Sequence, residues 1–146
     1  DMTMDMTFRY ELAAAHRLHV DAWDARKNQA VFGKCANPNG HGHNYTIDIT
    51  VSGDPDAATG QAADPNAVDR IVEQTIIEPF DHKNLNTDTT AFAHRPATME
   101  NMCVVFWELL AGALMPMPLS KITIWETPRT SATYQGPSDV GRLPQG

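Results

Sequence analysis

His41-Gly42-His43-Asn44-Tyr45-Thr46-Ile47-Asp48-Ile49-Thr50-Val51 puts Tyr45, Ile47, Ile49 and Val51 on one parity and Asn44, Thr46, Asp48 and Thr50 on the other. Successive side chains of a strand point to opposite faces, so this period of two predicts a half-buried strand, ended by Ser52-Gly53-Asp54-Pro55. The same alternation runs from Met4 to Ala14, where Met4, Met6, Phe8, Tyr10, Leu12 and Ala14 face away from Asp5, Thr7, Arg9, Glu11 and Ala13. That is a second half-buried strand. Between the two, Arg17 to Gly40 is rich in polar and turn residues, and a connection of this length in a compact domain reads as a functional or disordered loop.

Downstream the period changes. Asp64-Pro65 supplies a helix cap followed by proline at the first helical position, and Val68, Ile71, Val72 and Ile76 keep helical spacing until Pro79. A helix is predicted from Pro65 to Glu78. Thr98 caps a second helix whose Met102, Val105, Phe106, Leu109, Leu110 and Ala113 form an apolar stripe before Pro116, with Cys103 as a small buried residue within it. Lys121 to Thr127 alternates again and pairs with Ser131 to Gln135 through Pro128-Arg129-Thr130. The order β-β-α-α-β-β predicts an α+β domain, a four-stranded antiparallel sheet with two helices on one face. A chain of 146 residues with 42% hydrophobic content suits one domain, read as residues 1–136 with a flexible tail over 137–146.

A formal net charge of −7 argues against a nucleic-acid partner, and any anionic ligand must meet a local basic patch. With Cys35 and Cys103 as the only cysteines and no secretory pattern near the start, the expected setting is reducing and cytoplasmic. No membrane partner is expected either, because Glu108, Gly112 and Pro116 interrupt the longest apolar stretch.

The chemistry concentrates at the strand ends. Two imidazoles at His41 and His43 lie on one face with Cα atoms about 6–7 Å apart, a reach that suits two ligands of one metal. His16 is in phase with Tyr10, Leu12 and Ala14 and can add a third nitrogen if the strands are antiparallel neighbours. Three imidazoles without a fourth ligand describe an open zinc site; the alternative is strand-end histidines that bind nothing. Cys35, in a glycine- and asparagine-rich loop beside Lys34, is placed for a lowered pKa and proton transfer or nucleophilic work, or else is inert packing. Asp81-His82 is an acid/base pair or a solvated loop pair. Glu126 shares parity with Ile122 and Ile124, so its carboxylate needs donors: an arginine or backbone amide of the protein, or a ligand edge bearing paired N–H groups such as an aminopyrimidine. His19 and His94 read as surface histidines.

Together these residues resemble the 6-pyruvoyl-tetrahydropterin synthase and 6-carboxy-tetrahydropterin synthase family over Phe8 to Gly136. The matching elements are Ala13-Ala14-Ala15-His16-Arg17-Leu18, Phe32-Gly33-Lys34-Cys35, Asn37-Pro38-Asn39-Gly40-His41-Gly42-His43-Asn44-Tyr45, Asp81-His82-Lys83-Asn84-Leu85-Asn86, Thr98-Met99-Glu100-Asn101 and Glu126-Thr127. The resemblance implies the tunnelling fold, in which three subunits close their sheets into a barrel and two trimers stack into a hexamer. It implies a zinc-dependent lyase that converts 7,8-dihydroneopterin triphosphate to 6-pyruvoyl-tetrahydropterin, with zinc on His16, His41 and His43. Cys35, Asp81 and His82 would be catalytic, the last two reaching in from an adjacent subunit, and Glu126 would anchor the pterin with Thr98 and Glu100 as pocket neighbours.

Two departures stand out: Gln61-Ala62-Ala63-Asp64 replaces the apolar pair that usually follows Gly60, and Met99 stands where animal members carry a second threonine. The five residues between Cys35 and His41 resemble the pyruvoyl-forming enzymes, whereas carboxy-forming enzymes of the queuosine pathway typically have a shorter spacing. The alternatives are that carboxy-forming activity on the same substrate and, in another class, a non-catalytic zinc-binding module. The latter should carry a fourth ligand and has no need of Cys35 or Asp81-His82.

Overall fold

In a computed structural model that describes residues 3–138, the two alternating segments form long partners, β1 (Met4–His16) and β2 (His41–Gly53). They pair antiparallel with Phe8 opposite Ile49, Tyr10 opposite Ile47, Leu12 opposite Tyr45, Ala14 opposite His43 and His16 opposite His41. Opposed residues share a face, so one row runs from apolar core at its middle to imidazoles at its end. β4 (Leu119–Thr127) pairs antiparallel with β2, Ile124 on Ile47 and Ile122 on Ile49, and β5 (Thr130–Tyr134) closes a hairpin on β4.

Leu12, Tyr45, Ile47, Ile49, Val51, Ile122 and Ile124 are all essentially solvent-free on the inner face. Two helical segments cover them: α2 (Pro65–Val72), and α4 (Met99–Leu114), which lays Met102, Phe106, Leu110 and Leu114 onto the sheet. The outer face is polar. There Arg9 pairs with Asp48 at 2.8 Å, Thr7 bonds Thr50, and Trp125 Nε1 donates to Asp48. No helix of the described residues is long and apolar enough to cross a membrane. The expected tail at 137–146 lies outside the described residues from 139 onward.

Three features differ from the sequence reading. The 17–40 excursion is not simply a loop, because it carries α1 (Ala25–Phe32) and a 3-10 turn over Gly33–Ala36. Asp24 caps α1 by accepting from the Lys27 N–H at 2.8 Å. Asn28 is buried and ties the helix to the chain before it, accepting from Val20 N–H at 2.7 Å and donating to the carbonyls of Val20, Trp23 and Asp24. A helix held by polar bonds has no apolar stripe to reveal it.

The second difference is at Pro79, which does not stop the first predicted helix at Glu78. A π turn over Glu73–Ile77 widens the helix, Glu78 N–H bonds back to Glu73, and α3 (Glu78–Phe80), which contains Pro79, follows without a break. Thirdly, the sheet has a fifth strand, β3 (Lys83–Asn84), parallel to β1 at Ala14 and Ala15, which gives the order β3-β1-β2-β4-β5. Two residues are too few for any periodicity. The four long strands remain antiparallel as predicted.

Asn28→Ala removes the polar lock of the excursion and leaves the Val20 N–H unpaired, at a cost of about 1–3 kcal/mol. Amide hydrogen exchange should therefore quicken over residues 20–33 while β1 and β2 keep their protection; uniform loss of protection would show that the excursion is not a separate unit.

Candidate metal centre and active site

The row that starts with Leu12 and Tyr45 ends in His16, His41 and His43, and the 3-10 turn swings Cys35 against them. One ligand atom from each of the four lies within 4.8 Å of every other. His16 is fully buried. Its Nδ1 is 2.8 Å from the carbonyl oxygen of Ala97, so Nδ1–H is the donor and Nε2 presents a lone pair to the centre. Tyr45 Oη lies 3.4 Å from the same Nδ1. Neither Ala97 nor Tyr45 was singled out as a site residue: a backbone carbonyl has no sequence signal, and Tyr45 reads as core.

The donor set suits a metal ion. His16 Nε2 and His43 Nε2 are buried and have no hydrogen-bond partner, which is costly for a buried polar atom unless a ligand takes it up. His43 Nε2 does lie 3.2 Å from Glu126 Oε1, but the angles are not those of a hydrogen bond. Burial pushes the pKa of both His16 and His43 down, against the opposing pull of the Ala97 carbonyl on His16 and of Glu126 on both. Neutral imidazole is the ligating form.

Cys35 Sγ is 2.9 Å from His41 Nε2. The expected lowered thiol pKa is not what the protein's own groups produce: burial pushes it up, and the Glu126 carboxylate adds to this. Cys103, read as packing, is buried with its thiol pushed up to about 11, chiefly by desolvation. Gly40 turns the chain into β2 at φ +68°, where a Cβ would stand 2.6 Å from the His16 carbonyl oxygen. Only glycine fits there.

Glu126 meets the centre at the end of β4, where a register irregularity between Trp125 and Thr127 marks the last turn of the strand, and it also lines a cleft of about 400 Å³ with Arg9, Asn44 and Trp125. Among the described residues, neither an arginine nor a backbone amide pairs with it. Asp81 and His82 stay apart from the metal cluster. Asp81 Oδ1 accepts from Ala13 N–H at 2.8 Å and Oδ2 holds His82 Nδ1 at 2.7 Å. Although desolvation opposes it, those bonds hold the Asp81 carboxyl below its usual range. His82 has φ +58° and lines a cleft of about 310 Å³ that His43 also borders. Thr98 accepts from Asn101 N–H as the cap of α4, and Glu100 is exposed in its first turn, so neither touches the cluster in one chain.

Residues 5–137 match the family described as 6-pyruvoyl tetrahydropterin synthase. The chain is 41% identical over 133 residues to the 6-pyruvoyl tetrahydrobiopterin synthase of Drosophila melanogaster, covering 90% of this chain and 79% of that protein. With the Homo sapiens protein of the same name it shares 39% over 128 residues, 88% of each. Among solved structures, Caenorhabditis elegans 6-pyruvoyl tetrahydropterin synthase superposes with a TM-score of 0.87 at 34% identity, over 93% of this chain and 97% of that one. The family match over residues 5–137 and the 39–41% identity to these relatives agree, and the chain belongs to the 6-pyruvoyl tetrahydropterin synthase family.

Proposed function

We propose that the chain is a zinc-dependent lyase that converts 7,8-dihydroneopterin triphosphate to 6-pyruvoyl-tetrahydropterin with loss of triphosphate. The observation that carries this reading is the gathering of three imidazoles, a thiol and a carboxylate about one centre, with Cys35 Sγ 2.9 Å from His41 and Glu126 3.2 Å from His43. Bound by His16, His41 and His43, zinc would polarise the substrate's side-chain oxygens and acidify the neighbouring C–H bonds.

The protein's own groups do the rest. Cys35 holds or releases a proton at Sγ beside the reacting side chain. Asp81 fixes His82 through the 2.7 Å bond, and the pair serves as an acid/base relay reaching into the centre of an adjacent subunit. Glu126 accepts from the N–H edge of the aminopyrimidine, with Thr98 and Glu100 as pocket neighbours; Thr98 still has its hydroxyl proton to donate after capping α4. Since the redox change is internal to the substrate, no nicotinamide is required.

Two other readings have specific support. Carboxy-forming activity on the same substrate uses the same residues, but the five-residue spacing between Cys35 and His41 favours the pyruvoyl product. A closed, non-catalytic zinc module gains from the structure, because Cys35 Sγ lies within ligand range of the three imidazoles.

Three measurements test these assignments. Incubation of zinc-loaded protein with dihydroneopterin triphosphate should give 6-pyruvoyl-tetrahydropterin by mass, and Cys35→Ala should keep about one zinc per chain while turnover falls about 10²- to 10⁴-fold. Zinc loss in that variant would favour the closed module, and a 6-carboxy product the other activity. Glu126→Gln places a donor against the ligand's own N–H groups, so substrate binding should weaken by about 2 kcal/mol with the fold retained; unchanged pterin binding would remove Glu126 from the anchor role. The third concerns assembly as a hexamer, a dimer of trimers, supported by sheet edges at β3 and β5 that carry unpaired backbone groups. Sedimentation at micromolar concentration should give about six times the 16.1 kDa chain mass, and a monomer would exclude it.

A further inference from the structure

Six histidines occur in the chain. His16, His41 and His43 meet at the metal centre and His82 pairs with Asp81. The other two, His19 and His94, have no partner pattern in the sequence, yet they line one cleft of about 400 Å³ together with Arg17 and Arg95. In a chain of net charge −7 that is a local concentration of basic groups, with Asp21 the sole acidic residue on its wall.

Its position is informative. Arg17 follows His16 in the chain, and Pro96, also on the wall, precedes Ala97, whose carbonyl holds His16 Nδ1 at 2.8 Å. The cleft therefore begins one residue, about 3.8 Å of backbone, beyond the His16–Ala97 contact on both segments. Glu126 stands 3.2 Å from His43, and the His43 and His16 rings are 4.9 Å apart between centroids. Glu126 thus meets the centre beside His43, and the basic cleft adjoins it in the chain beside His16.

We infer that this cleft is the polyphosphate subsite of the active centre, holding the triphosphate of the substrate while Glu126 holds its ring; the inference rests on the pterin-triphosphate reading above. The donors are available. Arg17 uses Nε on the Ala36 carbonyl at 3.2 Å and leaves its two terminal amino groups with no acceptor among the described residues, a fork suited to phosphate oxygens. Asn86 accepts the Arg17 backbone N–H at 2.6 Å through Oδ1, so its amino group too has no acceptor among the described residues. Arg95 pairs with Glu108 at 3.2 Å and His19 with Asp21 at 2.7 Å, but in each pair the carboxylate partner is exposed. Such pairs are worth little, and a multiply charged anion outcompetes a single exposed carboxylate. Asp21, on the cleft wall, is 95% exposed and so points its charge to solvent.

Calorimetric titration of the zinc-loaded protein with inorganic tripolyphosphate separates this inference from the catalytic one, because it needs no turnover. Saturable binding of about one anion per chain is expected, weakened about tenfold by Arg95→Ala and by Arg17→Lys, with Arg95→Lys intermediate. The same variants should keep their zinc and raise KM for the pterin triphosphate, while binding of neopterin, which has no phosphates, stays unchanged. Absence of tripolyphosphate binding to the wild-type protein, or binding that neither Arg95→Ala nor Arg17→Lys weakens, overturns the subsite even where the protein turns over its pterin. Conversely, anion binding lost in these variants from a protein without lyase activity upholds the basic cleft and rejects the lyase.

Discussion

The antiparallel register of β1 on β2 is the constraint on which core and site both depend. Leu12 on Tyr45, Tyr10 on Ile47 and Phe8 on Ile49 bury the apolar row under the helices, and the same register continues as Ala14 on His43 and His16 on His41. A slip of one residue would turn Leu12 and His16 to the polar face together. Apolar burial, worth about 25 cal/mol per Å², therefore fixes the placement of imidazoles that contribute nothing apolar themselves. Stability in the middle of the strands is converted into ligand geometry at their ends.

Packing at a distance completes that geometry. The carbonyl that sets the tautomer of His16 belongs to Ala97, fully buried just before Thr98 caps α4, and α4 is held by Met102, Phe106 and Leu110 in the core. Helix docking thus controls which imidazole nitrogen faces the centre. On the sheet's outer edge, the widened helix ending at Phe80 delivers Asp81 to Ala13 N–H and His82 N–H to the Ala13 carbonyl, and the chain then pairs as β3 beside Ala14 and Ala15. The backbone edge at the histidine-bearing end of β1 is therefore occupied by the chain itself.

How much of this could be read beforehand follows from what each element is made of. The long strands and the two core helices were legible because their apolar residues repeat at two or at three to four. His16, His41, His43 and Glu126 were legible as polar side chains in phase with those repeats. Helix α1 was hidden because Asn28 and Asp24, not an apolar stripe, hold it, and β3 because it spans two residues. Continuation of the first helix through Pro79 needed a π turn, which the spacing of Val68, Val72 and Ile76 does not encode. Ala97 escaped because its role is carried by a carbonyl oxygen. The basic cleft escaped because its arginines and histidines come from two segments far apart in sequence, one of each per segment, with no spacing that links them.

The way Cys35 is held bears on whether it is a ligand or a proton carrier. The three imidazoles stand on paired strands, whereas Cys35 sits in a 3-10 turn whose neighbours form successive tight turns, Asn37 N–H to Lys34 and Gly40 N–H to Asn37. Its own carbonyl is gripped by Leu18 N–H at 2.6 Å, so the backbone is fixed even though no strand partner holds it. A fourth permanent ligand would gain from the rigidity that its three companions have. A group that must approach and leave a reacting atom gains more from a separate segment tethered at its backbone. Placement on a turn anchored independently of the strands therefore supports the proposed proton transfer at Sγ, with the three histidines as the proposed metal ligands.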